Sequence, residues 1–155
     1  MEDKRITKTK RALKSALLEL LTTQAFDAIS ITELCKIANV SRITFYTHYK
    51  DKFALLDDIF NDMLIIGKEG YHRRQEENNP ENNLTQGYLN VLDCILSLYY
   101  ERYDFFQHVV PETNPYLAFR FYRILLDTVE SHTDKLKASY SLKYSARQIA
   151  GFICF

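Results

Sequence analysis

The chain has 155 residues, 46% of them hydrophobic, with four glycines, three prolines and no strand-like alternation, which excludes a disordered chain and points to one or two small all-α domains. Formal net charge is zero, yet residues up to Lys52 carry 10 basic and 6 acidic side chains and the remainder 10 and 14, so the positive charge is gathered where a nucleic-acid partner would need it. Cys35, Cys94 and Cys154 are odd in number and far apart, which excludes a disulfide framework and a paired metal site and leaves small buried hydrophobes in a reducing cytoplasm; no signal peptide or membrane-spanning run is present, so a cytoplasmic protein without a membrane partner is expected.

In chain order, the opening M-E-D-K-R-I-T-K-T-K-R is charged, and its lysines and Arg11 suit either DNA phosphates or solvent. A helix follows to about Gln24, with Leu13, Ala16, Leu17, Leu20 and Leu21 as its buried stripe, and Phe26 and Ile29 close a small core over the connection. From Ile31 to Lys52 the sequence reads as two short helices around a tight turn. Leu34, Ile37 and Ala38 make one apolar stripe on a helix that begins near Thr32. Asn39 tolerates the left-handed backbone that a sharp turn requires, Val40 plugs between the helices, and Ser41 is a favourable N-cap for the second.

That second helix spans Arg42 to Lys50. Phe45 and Tyr49 are four apart and face inward, while Ile43 and Thr47 point to the opposite side with Thr44 and Tyr46 on the flanks. A surface of arginine, isoleucine and two threonines has little hydrophobic purpose but suits a DNA groove: arginine bonds guanine edges, threonine bonds bases or touches thymine methyls, and Tyr, His and Lys hold phosphates. The expected base contacts are Arg42, Ile43, Thr44 and Thr47, and the expected phosphate contacts include Thr32, Tyr46 and His48, with Arg42 to Tyr49 as the recognition helix of a helix-turn-helix. The bland alternative is two packed helices of an ordinary all-α domain.

Asp51 is positioned to cap a fourth helix with the stripe Leu55, Leu56, Ile59, Phe60, Met63 and Leu64. Gly67 to Asn83, with two glycines and E-E-N-N-P-E-N-N, reads as a polar loop; His72 and Glu76 stand four apart there but lack a third metal ligand. A fifth helix is expected over Leu84 to Glu101, a short one through Phe105, Phe106, Val109 and Val110 up to Pro111, and another opened by Pro115 and running to about Thr133. A last helix begins near Ser141 with Ala146, Ile149, Ala150 and Ile153 in line. The sequence stops mid-pattern at Cys154-Phe155, from which a final helix cut short is expected.

Residues from about Lys8 to Leu56 resemble the DNA-binding domain of the tetracycline-repressor (TetR) family of bacterial transcription regulators. The run A-N-V-S-R-I-T-F-Y-T-H-Y-K-D-K, followed by Leu55, is similar to that family's sequence of turn, valine, capping residue, aromatic tyrosine and closing lysine, although Ala25 and Asn39 stand where glycine is common. The resemblance implies an all-α protein: a three-helix helix-turn-helix domain over residues 1–52, joined by a linking helix to a helical effector-binding and dimerisation domain over residues 53–155 whose last helix is truncated. It further implies a phosphate contact for Lys52 that aims the fourth helix at the DNA-binding unit.

In the second half, the resemblance and the many tyrosines, whose buried phenols need partners, suggest a pocket drawn from Tyr88, Tyr99, Tyr103, Phe106, His108 and Phe121 for a small, largely apolar effector. Ala146, Ile149, Ala150 and Ile153 would then form the dimer surface. The implied function is a transcriptional repressor that binds a palindromic double-stranded operator as a homodimer and is released or modulated by its effector. Alternatives are a DNA-binding co-activator whose C-terminal domain binds a protein partner, and a helical interaction module that binds no DNA. An enzyme is not expected, because a phosphate-cradling glycine loop, a nucleophile elbow and a His-Glu metal motif are all missing; no cofactor, metal or catalytic residue is assigned.

Overall fold

The computed structural model describes residues 4–135 and residue 151. The expected final helix, with Ala146, Ile149, Ala150 and Ile153 as a dimer surface, and Cys154 lie outside the described residues. The elements are α1 (Lys4–Leu21), a 3-10 turn (Phe26–Ala28), α2 (Ile31–Ile37), α3 (Arg42–His48), α4 (Lys52–Asn78), α5 (Leu84–Glu101), α6 (Tyr103–Phe106) and α7 (Pro115–Lys135). The described chain is therefore all-α. It divides into two compact units, Met1–Asp62 and Met63–Phe155, with the division inside α4.

In the first unit the leucine stripe of α1 is buried as its spacing dictates: Leu13, Ala16, Leu17, Leu20 and Leu21. Phe26, Ile29, Leu34, Phe45, Leu55 and Leu56 complete the core, each at most 2% exposed, and each such side chain stabilises the fold by about 1.5–3 kcal/mol through its removal from water. The start of α2 is set by a capping box: Ser30 Oγ accepts from Glu33 N at 3.2 Å and Glu33 Oε2 accepts from Ser30 N at 2.9 Å. The buried face of α2 differs from expectation by part of a turn. Leu34 and Cys35 are buried, whereas Ile37 is exposed. Leu34 and Ala38 flank a face centred toward Cys35, and Ile37 lies about 100° from that centre, too far round a two-turn helix to be covered.

Asn39 adopts φ 53°, the left-handed conformation expected of it, and the turn closes through Val40 N donating to Cys35 O at 3.0 Å. Ala25 has φ −65° in extended backbone, so glycine is not required there.

The stretch from Gly67 to Asn83 is not a loop as a whole. Helix α4 continues to Asn78, and only residues 79–83 connect it to α5. The charged residues line a solvated helix, and both glycines are tolerated within it at about 1 kcal/mol each. A Cβ at Gly70 would meet Arg74 Nη1 at 3.4 Å and Cys94 Sγ at 3.6 Å, ordinary van der Waals contact, so the packing of α5 here does not require glycine. Arg74 then bridges the helices, pairing with Asp93 and donating to Ser97 Oγ at 3.0 Å. Beside it, side-chain amides form a buried cluster. Asn90, 2% exposed, donates to Gln75 Oε1 and to Asn78 Oδ1 and accepts from Gln86 Nε2. Asn79 accepts from Asn83 N at 2.7 Å and donates to Asn83 O at 3.0 Å, which fastens the connection at both ends. In α7, Leu117, Phe121, Leu125 and Val129 are buried at helical spacing after Pro115 opens the first turn.

Candidate nucleic-acid interface

Helix α3 is held from behind and bare in front. Phe45 is fully buried and Tyr49 6% exposed, and their rings pack 5.9 Å apart. On the other side Ile43 is 82% exposed, an unusual state for a β-branched aliphatic residue in a short helix. Arg42 and Thr47 are exposed beside it, Tyr46 is half-exposed, and Thr44 and His48 are partly covered. Ser41 Oγ caps the helix by accepting from Thr44 N at 3.0 Å. Its hydroxyl also pairs with that of Thr44 at 2.8 Å, while Thr47 Oγ1 donates to Ile43 O at 2.9 Å. Thr47 therefore keeps its acceptor lone pairs and methyl group for a partner while its hydroxyl proton has a local use. Thr32, on α2, is exposed, as are Lys4, Arg5, Lys8 and Arg11 on α1.

The residues that hold α3 come from far along the chain. Tyr49, its C-cap, donates its hydroxyl proton to Asp58 Oδ2 on α4 at 2.6 Å. Lys14 on α1 pairs with the same carboxylate at 3.0 Å and also with Asp62. Burial alone would push the Asp58 carboxyl up, but the hydrogen bonds from Tyr49 and Lys14 outweigh it and hold the group below its ordinary value. Nothing in the spacing of residues 14, 49 and 58 announces this network.

Lys52 does something the resemblance does not imply. Its ammonium donates to Phe26 O at 2.9 Å, Asp27 O at 2.8 Å and Ile29 O at 2.9 Å, and lies 4.9 Å from the centre of the Phe26 ring. All three protons are used inside the first unit.

Residues 13–59 match the family model for bacterial regulatory proteins of the tetR family. A 58-residue stretch is 40% identical to an uncharacterized HTH-type transcriptional regulator, YxbF, of Bacillus subtilis (strain 168), covering 37% of this chain and 14% of that protein. The matched segment is similar to the DNA-binding domain of tetR-family regulators. The chain thus spans only a small part of the length of that relative, and the family-model match lies within the first unit. Within the matched segment, α2 and α3 are two short consecutive helices and Asn39 lies in the turn between them.

In the second unit the residues expected to line a pocket separate into groups. Tyr99 stacks on Phe106 at 5.4 Å, Phe106 meets Phe121 at 4.7 Å, and Tyr103 meets Tyr99 at 6.0 Å. Tyr88 packs instead against Val91 and Val129. His108 Nε2 is buried with no hydrogen-bond partner among the described residues. Two recesses of this unit lie elsewhere: one is lined by Gly70, Arg74, Cys94 and Ser97, the other by Asn79, Pro80, Asn83 and Gln86. Burial pushes the Cys35 and Cys94 thiols up, which suits inert core residues. Among the described residues no group of three metal-ligating side chains comes together, and no helix is long and apolar enough to cross a membrane.

Proposed function

We propose that the chain is a sequence-specific DNA-binding transcriptional regulator, a repressor that binds a palindromic operator as a dimer. The observation that carries the reading is the bare face of α3, where Ile43 stands 82% exposed above a buried Phe45. An aliphatic side chain held out in water contributes nothing to the fold, so its use lies in meeting another surface. Arginine, isoleucine and threonine together match the donor, acceptor and methyl pattern of the major groove. Arg42 would pair with a guanine, and Ile43, Thr44 and Thr47 would contact bases, with thymine methyls as the natural partners of the apolar groups. Thr32, Tyr46 and His48 would hold phosphates and set the register. Two such helices in a dimer read half-sites about 34–36 Å apart.

Regulation follows from linkage. A small, largely apolar effector held among the rings of the second unit would shift the protein toward a form with lower DNA affinity, by no more than its own preference between the two forms. Helix α4, continuous from the DNA-binding domain into the second unit, is the natural path. A second reading is a co-activator whose second unit binds a protein. It is favoured by the packing of Tyr99, Phe106 and Phe121 against one another and by the exposure of Leu89, Leu96 and Tyr100.

Recovery of bound fragments from sheared genomic DNA tests the main reading. Wild type should enrich a palindromic sequence and Ile43→Ala should lose that enrichment. Equal, sequence-independent recovery by both proteins would overturn it.

A further inference from the structure

The exposed face of α3 carries side chains of different hydrogen-bonding character, and local geometry fixes that character for Thr47. Arg42, exposed in the first turn, has donors only. Thr47 Oγ1 lies 2.9 Å from Ile43 O. A carbonyl cannot donate, so this bond takes the hydroxyl proton of Thr47, a common arrangement for a threonine on a helix. What Thr47 offers outward is then an oxygen with lone pairs. Thr44 differs: its hydroxyl faces Ser41 Oγ at 2.8 Å, and either can donate. Ile43, 82% exposed, offers only aliphatic groups. Ile43 and Thr47 are one helical turn apart on the same face, so their Cβ atoms stand about 5–6 Å from each other.

The major groove holds few partners for that pair. An acceptor finds a donor on adenine N6 or cytosine N4, and it is repelled by guanine, which shows acceptors alone. An aliphatic group finds a methyl only on thymine. A G·C pair therefore supplies the amine without the methyl. An A·T pair supplies both along one edge, where the thymine methyl, thymine O4 and the adenine amine follow one another. Arg42 has the opposite character and suits guanine, so the two ends of the face select different base pairs.

We propose that Ile43 and Thr47 together read a single A·T pair in each operator half-site, with the thymine methyl against Ile43 and the adenine N6 amine donating to Thr47 Oγ1. The proposal rests on the DNA-binding reading and names the base pair that this part of the face selects. Thr47 keeps its bond to Ile43 O while it accepts, so no hydrogen bond inside the protein is given up when the base arrives.

The operator that wild type recovers from genomic DNA is the probe. In synthetic duplexes each thymine of a half-site is replaced in turn by uracil, which lacks the C5 methyl. Each adenine is replaced in turn by 2-aminopurine, which pairs with thymine but lacks the N6 amine. Every duplex is titrated with wild type, Ile43→Ala and Thr47→Val. Both side chains are exposed, so neither substitution opens the core, and valine keeps the shape of threonine without its hydroxyl.

One uracil position should weaken wild-type binding about fourfold and weaken Ile43→Ala no further. The adenine of the same pair, once replaced, should weaken wild type about two- to tenfold and Thr47→Val no further. If the sensitive thymine and adenine belong to different base pairs, or if the sensitivities survive in the variants, the proposal is overturned while operator binding stands. If wild type recovers no preferred sequence, the DNA-binding reading itself fails and takes the proposal with it.

Discussion

The Tyr49 hydroxyl donates to Asp58 Oδ2 at 2.6 Å, joining the C-cap of α3 to the first half of α4. Lys14 reaches the same carboxylate, so α1, α3 and α4 meet at one charged group. Asp58→Asn should destabilise the first unit by about 1–3 kcal/mol at neutral pH, the usual range for hydrogen bonds to a charged group. The folded carboxyl titrates below its ordinary 3.8. Its contribution is therefore fully present above that value and is lost as pH falls through the lower folded value. Thermal melts of wild type and variant should differ most near neutrality and converge in acid.

Ile43 has nothing to lose in the folded protein. Ile43→Ala should leave the melting temperature unchanged, within about 0.5 kcal/mol of stability. In a duplex-binding titration it should weaken affinity for the selected operator more than for random sequence, because the proposed function gives this side chain a base contact.

Arg42 is exposed on the same face. Arg42→Ala should cost about 1–3 kcal/mol of operator affinity and relax preference at a single base pair. Selection from a randomised duplex pool with each protein checks this, the expected difference being one degenerate position in the variant's consensus.

The left-handed Asn39 sets a stability series. Asn39→Gly removes the steric cost of φ 53° and should be neutral or slightly stabilising, whereas Asn39→Val, branched at the same backbone angle, should cost about 1–2 kcal/mol. Urea denaturation of the three proteins gives the order Gly, Asn, Val from most to least stable.

Asn90 is buried, and its removal would take away the donor to Gln75 and Asn78 and the acceptor of Gln86. Asn90→Ala should destabilise the second unit by about 2–4 kcal/mol. Amide exchange along the ends of α4 and α5 should rise while that of α1 to α3 stays as in wild type.

Much of the first unit is legible residue by residue. The stripe from Leu13 to Leu21, the inward Phe45 and Tyr49, the outward Ile43 and Thr47, the Ser41 cap and the turn at Asn39 all depend on neighbours within about one or two helical turns. Ile37 departs from its expected burial because a two-turn helix covers only a narrow face. Gly67 and Gly70 suggest a break, and the helix continues because Arg74 and the Asn90 cluster hold α4 against α5.

Local chemistry by itself determined that the described residues are helical, where α3 begins, and which of its side chains face outward. Those outcomes follow from periodicity, capping and backbone preference, all of which act over short separations in the chain. Only the tertiary structure decided what the long polar side chains do. Lys52 closes on carbonyls 23 to 26 residues earlier, and Asp58 gathers Tyr49 and Lys14. A flexible charged side chain has many partners within reach, and the fold alone selects among them by bringing distant acceptors to one point.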